Sequence, residues 1–261
     1  MLQRFATGLL AADEPPPFTI RNPDAASPWV ILCDHASNRV PRALGTLGLS
    51  DADRARHIGW DIGAAAVVRG LVPRLDAWAI LQGYSRLVID CNRRPGVPSS
   101  IIRRSENTDI PGNAEVSAEE AALRRREIFD PYHAVISRLL DARQAAGRRT
   151  IVVAMHSFTP IYDGVYRPMQ AAVLYNRDPV LSHALFHRLR AEGGLVVGDN
   201  EPYRVSDETD YGVPVHAEGR GLPHVEIEVR QDLVEHAAGQ AEWIERLARL
   251  LPAAASDVGL I

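Results

Sequence analysis

Two histidines stand at the ends of apolar runs that predict buried strands. His35 comes shortly after the run at 29–33, and His156 directly follows the run at 150–155. The carboxyl ends of the strands in an α/β sheet are where such sheets bind their ligands. Imidazole is a preferred ligand of zinc, and catalytic zinc usually takes three protein ligands and a water molecule. The two histidines therefore predict a zinc site, with one protein ligand still to be found.

The third ligand has several candidates. Asp61, Asp34 and His57 carry preferred donor types, whereas Asn38 offers only a neutral and poorer one. His57 and Asp61 are four residues apart on a predicted helix, so we expect them to share one face of it. The start of that helix should lie near the end of the first predicted strand.

The last predicted strand, 225–229, carries acidic residues on one face. Polar and apolar residues alternate along 224–230, although a strand in a buried sheet normally has apolar residues on both faces. A carboxylate beside a zinc site can take a proton from water while the metal polarises a carbonyl group. We therefore expect Glu228 to be the general base, with Glu226 as the competing assignment. The structural alternative is an ion-pair network of both residues with Arg230.

The sequence Asp-Cys-Asn-Arg at 90–93 follows another apolar run, 87–89. The planar guanidinium group of Arg93 matches the shape of a carboxylate, and Asn92 can add a further donor. Arg86 and Arg94 are the nearest substitutes for Arg93. This segment therefore predicts binding of a substrate carboxylate, and its structural alternative is a salt bridge within a loop.

A long loop at 94–116 is rich in Pro, Ser, Asn and Gly. Asn113 in this loop follows Ile-Pro-Gly at 110–112, a pattern typical of a tight turn. We expect the loop to act as a lid over the site, with Asn113 as a substrate contact.

Strands that alternate with helices predict an α/β sandwich around a largely parallel sheet. We expect a lead-in at 1–27 and a single catalytic domain at 28–261. A capping-box pattern at Ser117 and Glu120 predicts the start of a long helix that ends at Gly147. The predicted strands are 29–33, 78–81, 87–89, 150–155, 171–174, 195–197 and 225–229. The predicted helices are 51–71, 117–146, 178–191 and 232–251.

The composition excludes several functions. All 29 basic residues are arginine, so the chain has no lysine for a Schiff base or for a Gly-Lys-Ser/Thr phosphate loop. The net charge of -4 argues against a general nucleic-acid binder. We expect Cys33 and Cys91 to be reduced core thiols. The apolar stretch at 5–12 is too short for a signal peptide or a membrane span, so we expect a cytoplasmic protein without a membrane partner.

Six short segments together resemble the N-formylglutamate amidohydrolase family. They cover roughly residues 28–250 in the family's order, and the combination is specific although each piece is short. The segments are Cys-Asp-His-Ala-Ser-Asn-Arg-Val-Pro at 33–41, His-Ile-Gly-Trp-Asp at 57–61, Ser-Arg-Leu-Val-Ile-Asp-Cys-Asn-Arg at 85–93, Ile-Pro-Gly-Asn at 110–113, Met-His-Ser-Phe at 155–158 and Val-Glu-Ile-Glu-Val-Arg at 225–230.

The resemblance implies a fold similar to that of zinc carboxypeptidases and aspartoacylases: a three-layer sandwich with a mixed, largely parallel central sheet. It matches His35 and His156 to the two histidine zinc ligands and Glu228 to the glutamate base. It also matches 90–93 to the Asp-x-Asn-Arg motif that binds a substrate carboxylate. The chain departs from the His-x-x-Glu pattern at Asn38. The resemblance therefore favours Asp61, in the Gly-Trp-Asp segment, as the third ligand.

The implied activity is zinc-dependent hydrolysis of the amide bond of an N-formyl or other N-acyl amino acid, such as N-formylglutamate. The partner is then a small molecule that carries a carboxylate. One alternative is a zinc peptidase or amidase that acts on a larger peptide, in which case the loop at 94–116 would be an open rim. Another is a binding module without metal on the same fold, an alternative that Asn38 keeps open.

Overall fold

The computed structural model describes residues 8–261 and contains one seven-stranded sheet and two small hairpins. The strands are, in chain order, β1 (Phe18–Arg21), β2 (Trp29–Cys33), β3 (Trp78–Gln82), β4 (Arg104–Ser105), β5 (Thr108–Asp109), β6 (Ile151–Phe158), β7 (Ile161–Tyr162), β8 (Val165–Tyr166), β9 (Ala171–Leu174), β10 (Val197–Asp199) and β11 (His224–Arg230). The large sheet has the order β1-β3-β2-β6-β11-β9-β10, whereas β4 pairs with β5 and β7 with β8.

The helices lie between these strands. They are α1 (Asp51–Ala55), α2 (Ala64–Leu75), α3 (Ala118–Arg124), α4 (Asp130–Ala145), α5 (Val180–Ala191) and α6 (Ala237–Asp257). Two π-helical turns, Arg125–Phe129 and Gly212–Ala217, come before α4 and β11, respectively. Short 3-10 turns occur at Arg42–Leu44, Pro98–Ser100, Pro111–Asn113, Glu218–Arg220 and Gln231–Leu233.

The sheet is mixed and mostly parallel. Strands β3, β2, β6 and β11 are parallel neighbours, and their carboxyl ends therefore lie at one edge. The outer strand β1 is antiparallel to β3, and β9 is antiparallel to β11. The fold class expected from the sequence is confirmed.

Apolar side chains cover both faces of the sheet. Ile31 of β2 packs in a cluster with residues of α2, α5 and α6. Its neighbour Leu32 packs in a second cluster with residues of α3 and α4. Successive strand residues point to opposite faces, so β2 is apolar throughout because helices cover it on both sides. The result is the three-layer arrangement.

Several predicted elements differ from those observed. Residues 87–89 form part of a turn, closed by the Val88 amide on the Ser85 carbonyl, and are apolar because the turn is buried. The predicted helix at 51–71 is two helices, because the chain leaves the helical path at Arg56 and re-enters it only after Gly63. His57 and Asp61 therefore do not share a helix face. The C-terminal helix begins at Ala237 rather than 232.

Two other local predictions, the capping box at Ser117 and the buried free cysteines, are confirmed. The Ser117 hydroxyl accepts a hydrogen bond from the Glu120 amide at the start of α3, and the helical path continues to Ala145, before Gly147 at φ +63. Both cysteines are free and buried. Part of the expected lead-in, Phe18–Arg21, is the edge strand β1. Residues 5–7 of the apolar stretch at 5–12 lie outside the described residues, and no helix in 8–261 is long and apolar enough to cross a membrane.

Gly63 directly precedes α2, at a position where any side chain would clash with Val234. It has φ +83, and a Cβ atom there would lie 2.2 Å from the Val234 carbonyl oxygen. We predict that Gly63→Ala lowers the free energy of unfolding by about 1–3 kcal/mol more than backbone strain alone would. Gly221→Ala is the matched control, because Gly221 has φ +63 with open space around it. Denaturant unfolding measures both, and equal losses would contradict the close approach.

Candidate functional site

A cavity of about 440 Å³ lies at the carboxyl ends of the parallel strands. β2 leads into His35, β6 carries His156, and β11 carries Glu226 and Glu228. Asp61 reaches the cavity from the segment between α1 and α2, where its amide donates to the His35 carbonyl. The predicted zinc-site residues and both candidate bases therefore line one cavity.

Two histidines share the carboxylate of Asp61. Its Oδ2 atom lies 2.9 Å from His156 Nδ1 and 3.4 Å from His35 Nδ1. The two imidazole rings stand edge to face, with their centroids 5.1 Å apart. All three side chains are buried, so the three potential ligand atoms meet in a space that is closed to bulk water.

A second carboxylate fixes the orientation of His35. Its outer nitrogen, Nε2, lies 2.7 Å from Asp90 Oδ1. Arg86 donates to the other oxygen of Asp90, and the Asn92 amide donates to Oδ1. A carboxylate on the outer nitrogen of a histidine sets its tautomer and makes the inner nitrogen a better metal ligand. Asp90 therefore leaves Nδ1 of His35 aimed at Asp61.

Charge balance explains the protonation of this group. Burial alone would raise the pKa of Asp61, but His35 and His156 outweigh it and hold that pKa well below its usual value. Burial and Arg86 oppose a proton on His35, whereas Asp90 and Asp61 raise the pKa of the ring above its usual value. Burial also opposes a proton on His156, but Glu226 and Asp61 raise its pKa well above the usual value. The raised pKa values favour protonated histidines. Their positive charge neutralises the Asp61 carboxylate in the way that a bound cation would.

The residues fit a zinc ion. Two imidazoles and one carboxylate form a frequent ligand set of catalytic zinc. Within residues 8–261, His35, Asp61 and His156 form the group of three whose potential ligand atoms lie close enough together, within 4.8 Å of one another, to hold a metal ion. Two further buried carboxyl groups, those of Glu226 and Glu228, lie in the same cavity, and each keeps one oxygen without a hydrogen-bond partner among residues 8–261. Such an excess of negative charge favours a bound cation.

The other candidates for the third ligand do not belong to this group of three. Asp34 Oδ1 accepts a hydrogen bond from Tyr132 on α4, and its Oδ2 lies 3.9 Å from His156 Nε2, the nitrogen opposite the one that faces Asp61. His57 lines the cavity, but its Nε2 atom lies 2.9 Å from Glu106. Asn38 is not among the cavity-lining residues. Asp61 is therefore the residue that the structure places between the two histidines.

Glu226 and Glu228 point into the cavity from the same face of β11. Burial raises the pKa of Glu226 to about 7, and it raises that of Glu228 well above its usual value, with Asp61 and Glu226 adding to the effect. Glu228 pairs with His156 across the β6–β11 ladder, which places it beside the histidine–aspartate group. A carboxyl group with a raised pKa can both take and return a proton near neutral pH.

The polar residues predicted to bind substrate have different surroundings. Arg93 lines the cavity with its side chain 24% exposed, and its Nη1 atom donates to the Asn92 carbonyl and lies 3.5 Å from Asp210. Arg86 also lines the cavity but is bound to Asp90. The Asn92 side chain donates to Asp210 and accepts from the amides of Tyr211 and Gly212. It therefore anchors the segment that carries Asp210.

Asn113 does not reach the cavity. Its amide group donates to the carbonyls of Leu87 and Ile102, and its oxygen accepts from Arg124. The side chain is 1% exposed. The expectation that Asn113 contacts substrate is therefore corrected: it ties the long loop to the buried turn at 87–89.

Further residues that were not predicted also line the cavity, among them Tyr162, Tyr203, Arg204 and Asp210. The guanidinium group of Arg167 lies 4.7 Å from the ring centroids of both Tyr162 and Tyr203, so it connects the β7–β8 hairpin with the loop before β11. Tyr162 belongs to the two-residue strand β7, and the other three lie in the irregular segment before β11, so no periodicity signals that they share a site.

The comparisons with known proteins agree with this geometry. A family model described as N-formylglutamate amidohydrolase matches residues 27–235. The crystal structure of the gene product Atu2144 from Agrobacterium tumefaciens is similar, with 37% identity, a TM-score of 0.92 and coverage of 96% of this chain and 99% of that one. An N-formylglutamate amidohydrolase from Ralstonia eutropha JMP134 shares the fold, with 20% identity, a TM-score of 0.67 and coverage of 93% and 98%. No curated protein sequence matches the chain significantly.

Asp61 should dominate metal binding, because it is the one carboxylate that both Nδ1 atoms face. We predict that Asp61→Asn weakens zinc binding by more than about 100-fold, beyond the range typical of outer partners. Competition with a chelator measures the affinity. Asp257→Asn is the control, since Asp257 pairs with Arg188 at the surface. An Asp61→Asn protein that binds zinc as tightly as that control would contradict the ligand assignment.

Proposed function

Because the chain belongs to the N-formylglutamate amidohydrolase family, we propose that it is a zinc-dependent hydrolase of N-acyl amino acids, with N-formylglutamate as the first substrate to test. The observation that carries the proposal is the meeting of His35, Asp61 and His156 beside two buried glutamates in one cavity. This arrangement joins a metal-ligand set to a proton acceptor, which amide hydrolysis requires.

His35, Asp61 and His156 would hold the zinc ion. When bound, zinc would supply Lewis-acid polarisation of the substrate carbonyl and make water more acidic. The chain itself orients the metal ligands. Asp90 holds the ring of His35 through the outer nitrogen of that ring, Nε2. Burial of all three side chains limits competing water and strengthens their electrostatic interactions.

Glu228 is our general base. It lies opposite His156 in the β6–β11 ladder, and one of its buried oxygens has no hydrogen-bond partner in the part of the chain that the structure describes. In the reaction it takes a proton from the attacking water as the water oxygen bonds to the acyl carbon. It then gives that proton to the amide nitrogen as the carbon–nitrogen bond breaks. The products are formate, or another small acid, and the free amino acid.

Glu226 lies nearer the side where the substrate carboxylate would bind. His156 acts on the pKa of both glutamates; beyond it, Asp210, Asp34 and Arg93 act on that of Glu226, whereas Asp61 and Arg86 act on that of Glu228. Arg93 is the cation for the substrate carboxylate, because Arg86 is bound to Asp90. In this proposal the acyl group faces His156 and Glu228, and the carboxylate faces Arg93.

We predict that Glu228→Gln lowers kcat for formate release from N-formylglutamate by at least about 100-fold, because the amide cannot accept the proton. Zinc content should stay that of the wild type. Glu226→Gln is the matched control on the same strand face and should keep most of the turnover. Turnover that survives in Glu228→Gln and disappears in Glu226→Gln would assign the base to Glu226.

Arg93→Ala should raise KM by about 10- to 100-fold with a smaller change in kcat, since one charged hydrogen-bonding partner of the substrate is lost. Arg94→Ala is the neighbouring control, because Arg94 donates to the Asp207 carbonyl and stacks near Tyr211. Steady-state kinetics with N-formylglutamate separate the two constants. An unchanged KM in Arg93→Ala would remove Arg93 from carboxylate binding.

A further inference from the structure

Asp34 is a buried carboxylate with one occupied and one unoccupied oxygen. Its Oδ1 atom accepts a hydrogen bond of 2.5 Å from the Tyr132 hydroxyl on α4. Its Oδ2 atom has no hydrogen-bond partner among the described residues, although Asp34 is only 2% exposed. A buried charged acceptor without a partner loses its hydration without compensation, so this oxygen calls for an explanation.

The atom that faces it is also unpaired. His156 Nε2 is buried without a hydrogen-bond partner in residues 8–261, and it lies 3.9 Å from Asp34 Oδ2. The backbone closes this space from the other side, since a Cβ atom on Gly212 would lie 3.0 Å from the same oxygen. The two unpaired atoms therefore form an ion-pair approach that is longer than a hydrogen bond.

The arrangement repeats the one around His35. Each histidine turns Nδ1 towards Asp61 and Nε2 towards a second aspartate, Asp90 or Asp34. Arg86 holds the outer aspartate of His35, and Tyr132 holds that of His156. Burial, and then the charge of Asp34, raise the pKa of Tyr132 well above its usual value, so its hydroxyl remains a donor.

We propose that Tyr132 and Asp34 are positioning residues for the metal site: they keep the proton of His156 on Nε2, which leaves Nδ1 free to bind the metal. Neither residue is a catalytic group, because neither lines the cavity. The inference rests on the proposed function, since it assumes that His156 is a metal ligand. It adds a link from Tyr132 on α4 through Asp34, which follows β2, to His156 on β6, made of one hydrogen bond and one 3.9 Å approach of charged groups.

The test is zinc affinity in Tyr132→Phe, which removes the hydroxyl and keeps the ring. We expect zinc binding to weaken by about 10- to 100-fold, the range typical of lost outer partners. Tyr84→Phe is the matched control, because Tyr84 is also fully buried and its hydroxyl donates to the Pro15 carbonyl outside the cavity. Thermal unfolding of both metal-free variants separates lost affinity from lost stability.

Two further measurements keep the result interpretable. Asp34→Asn keeps the side-chain shape and removes the charge, so it should weaken zinc binding at least as much as Tyr132→Phe. Nitrogen-15 NMR of the zinc-loaded wild type should show the proton of His156 on Nε2, and Tyr132→Phe should shift that resonance.

Four outcomes would count against the inference. A Tyr132→Phe protein that binds zinc within about twofold of the wild type would overturn this inference but not the proposed function. An equal loss of zinc affinity in Tyr84→Phe would do the same. A proton on Nδ1 of His156 in the zinc-loaded protein would also overturn this inference and leave the proposed function standing. A wild type that binds no zinc overturns the proposed function together with this inference.

Discussion

The shared carboxylate of Asp61 is the interaction on which the site depends. Two buried imidazoles face one of its oxygens, and water cannot screen the charges. A buried carboxylate is stable only when protons or a cation compensate its charge. His35 and His156 provide such protons, and a metal ion would provide the same compensation. The site is therefore suited to exchange protons for a cation as metal binds.

The fold holds this carboxylate by backbone contacts more than by side chains. The Asp61 amide donates to the His35 carbonyl, which ties the segment between α1 and α2 to the end of β2. Parallel pairing of β2 with β6 and of β6 with β11 brings the remaining groups to the same edge. Since these strands are covered on both faces by helices, the polar groups at their ends are the ones left to form a site.

The sequence predicted the parts of the site that come from strands. His35, His156 and Glu228 could be found because a buried strand is recognisable from its apolar run, and its end in a parallel sheet is a known position for ligands. Asp61 was found through the family resemblance, whereas its predicted helix was wrong, because the chain leaves the helical path at Arg56 and resumes it only after Gly63.

The parts that come from irregular segments could not be predicted. Tyr203, Arg204 and Asp210 precede β11 in a segment whose path depends on Asn92, a residue more than a hundred positions earlier. Asn113 shows the reverse case: its position after a tight turn indicated a substrate contact, yet its side chain satisfies two loop carbonyls. Local patterns do not reveal such long-range hydrogen bonds.

The most direct test of the account is zinc content and formate release measured on the same preparation, purified without added metal or chelator. The account predicts close to one zinc per chain, release of formate from N-formylglutamate, loss of activity with chelator and recovery with added zinc. A folded protein that takes up no zinc, or that releases formate equally well after complete removal of metal, would contradict it.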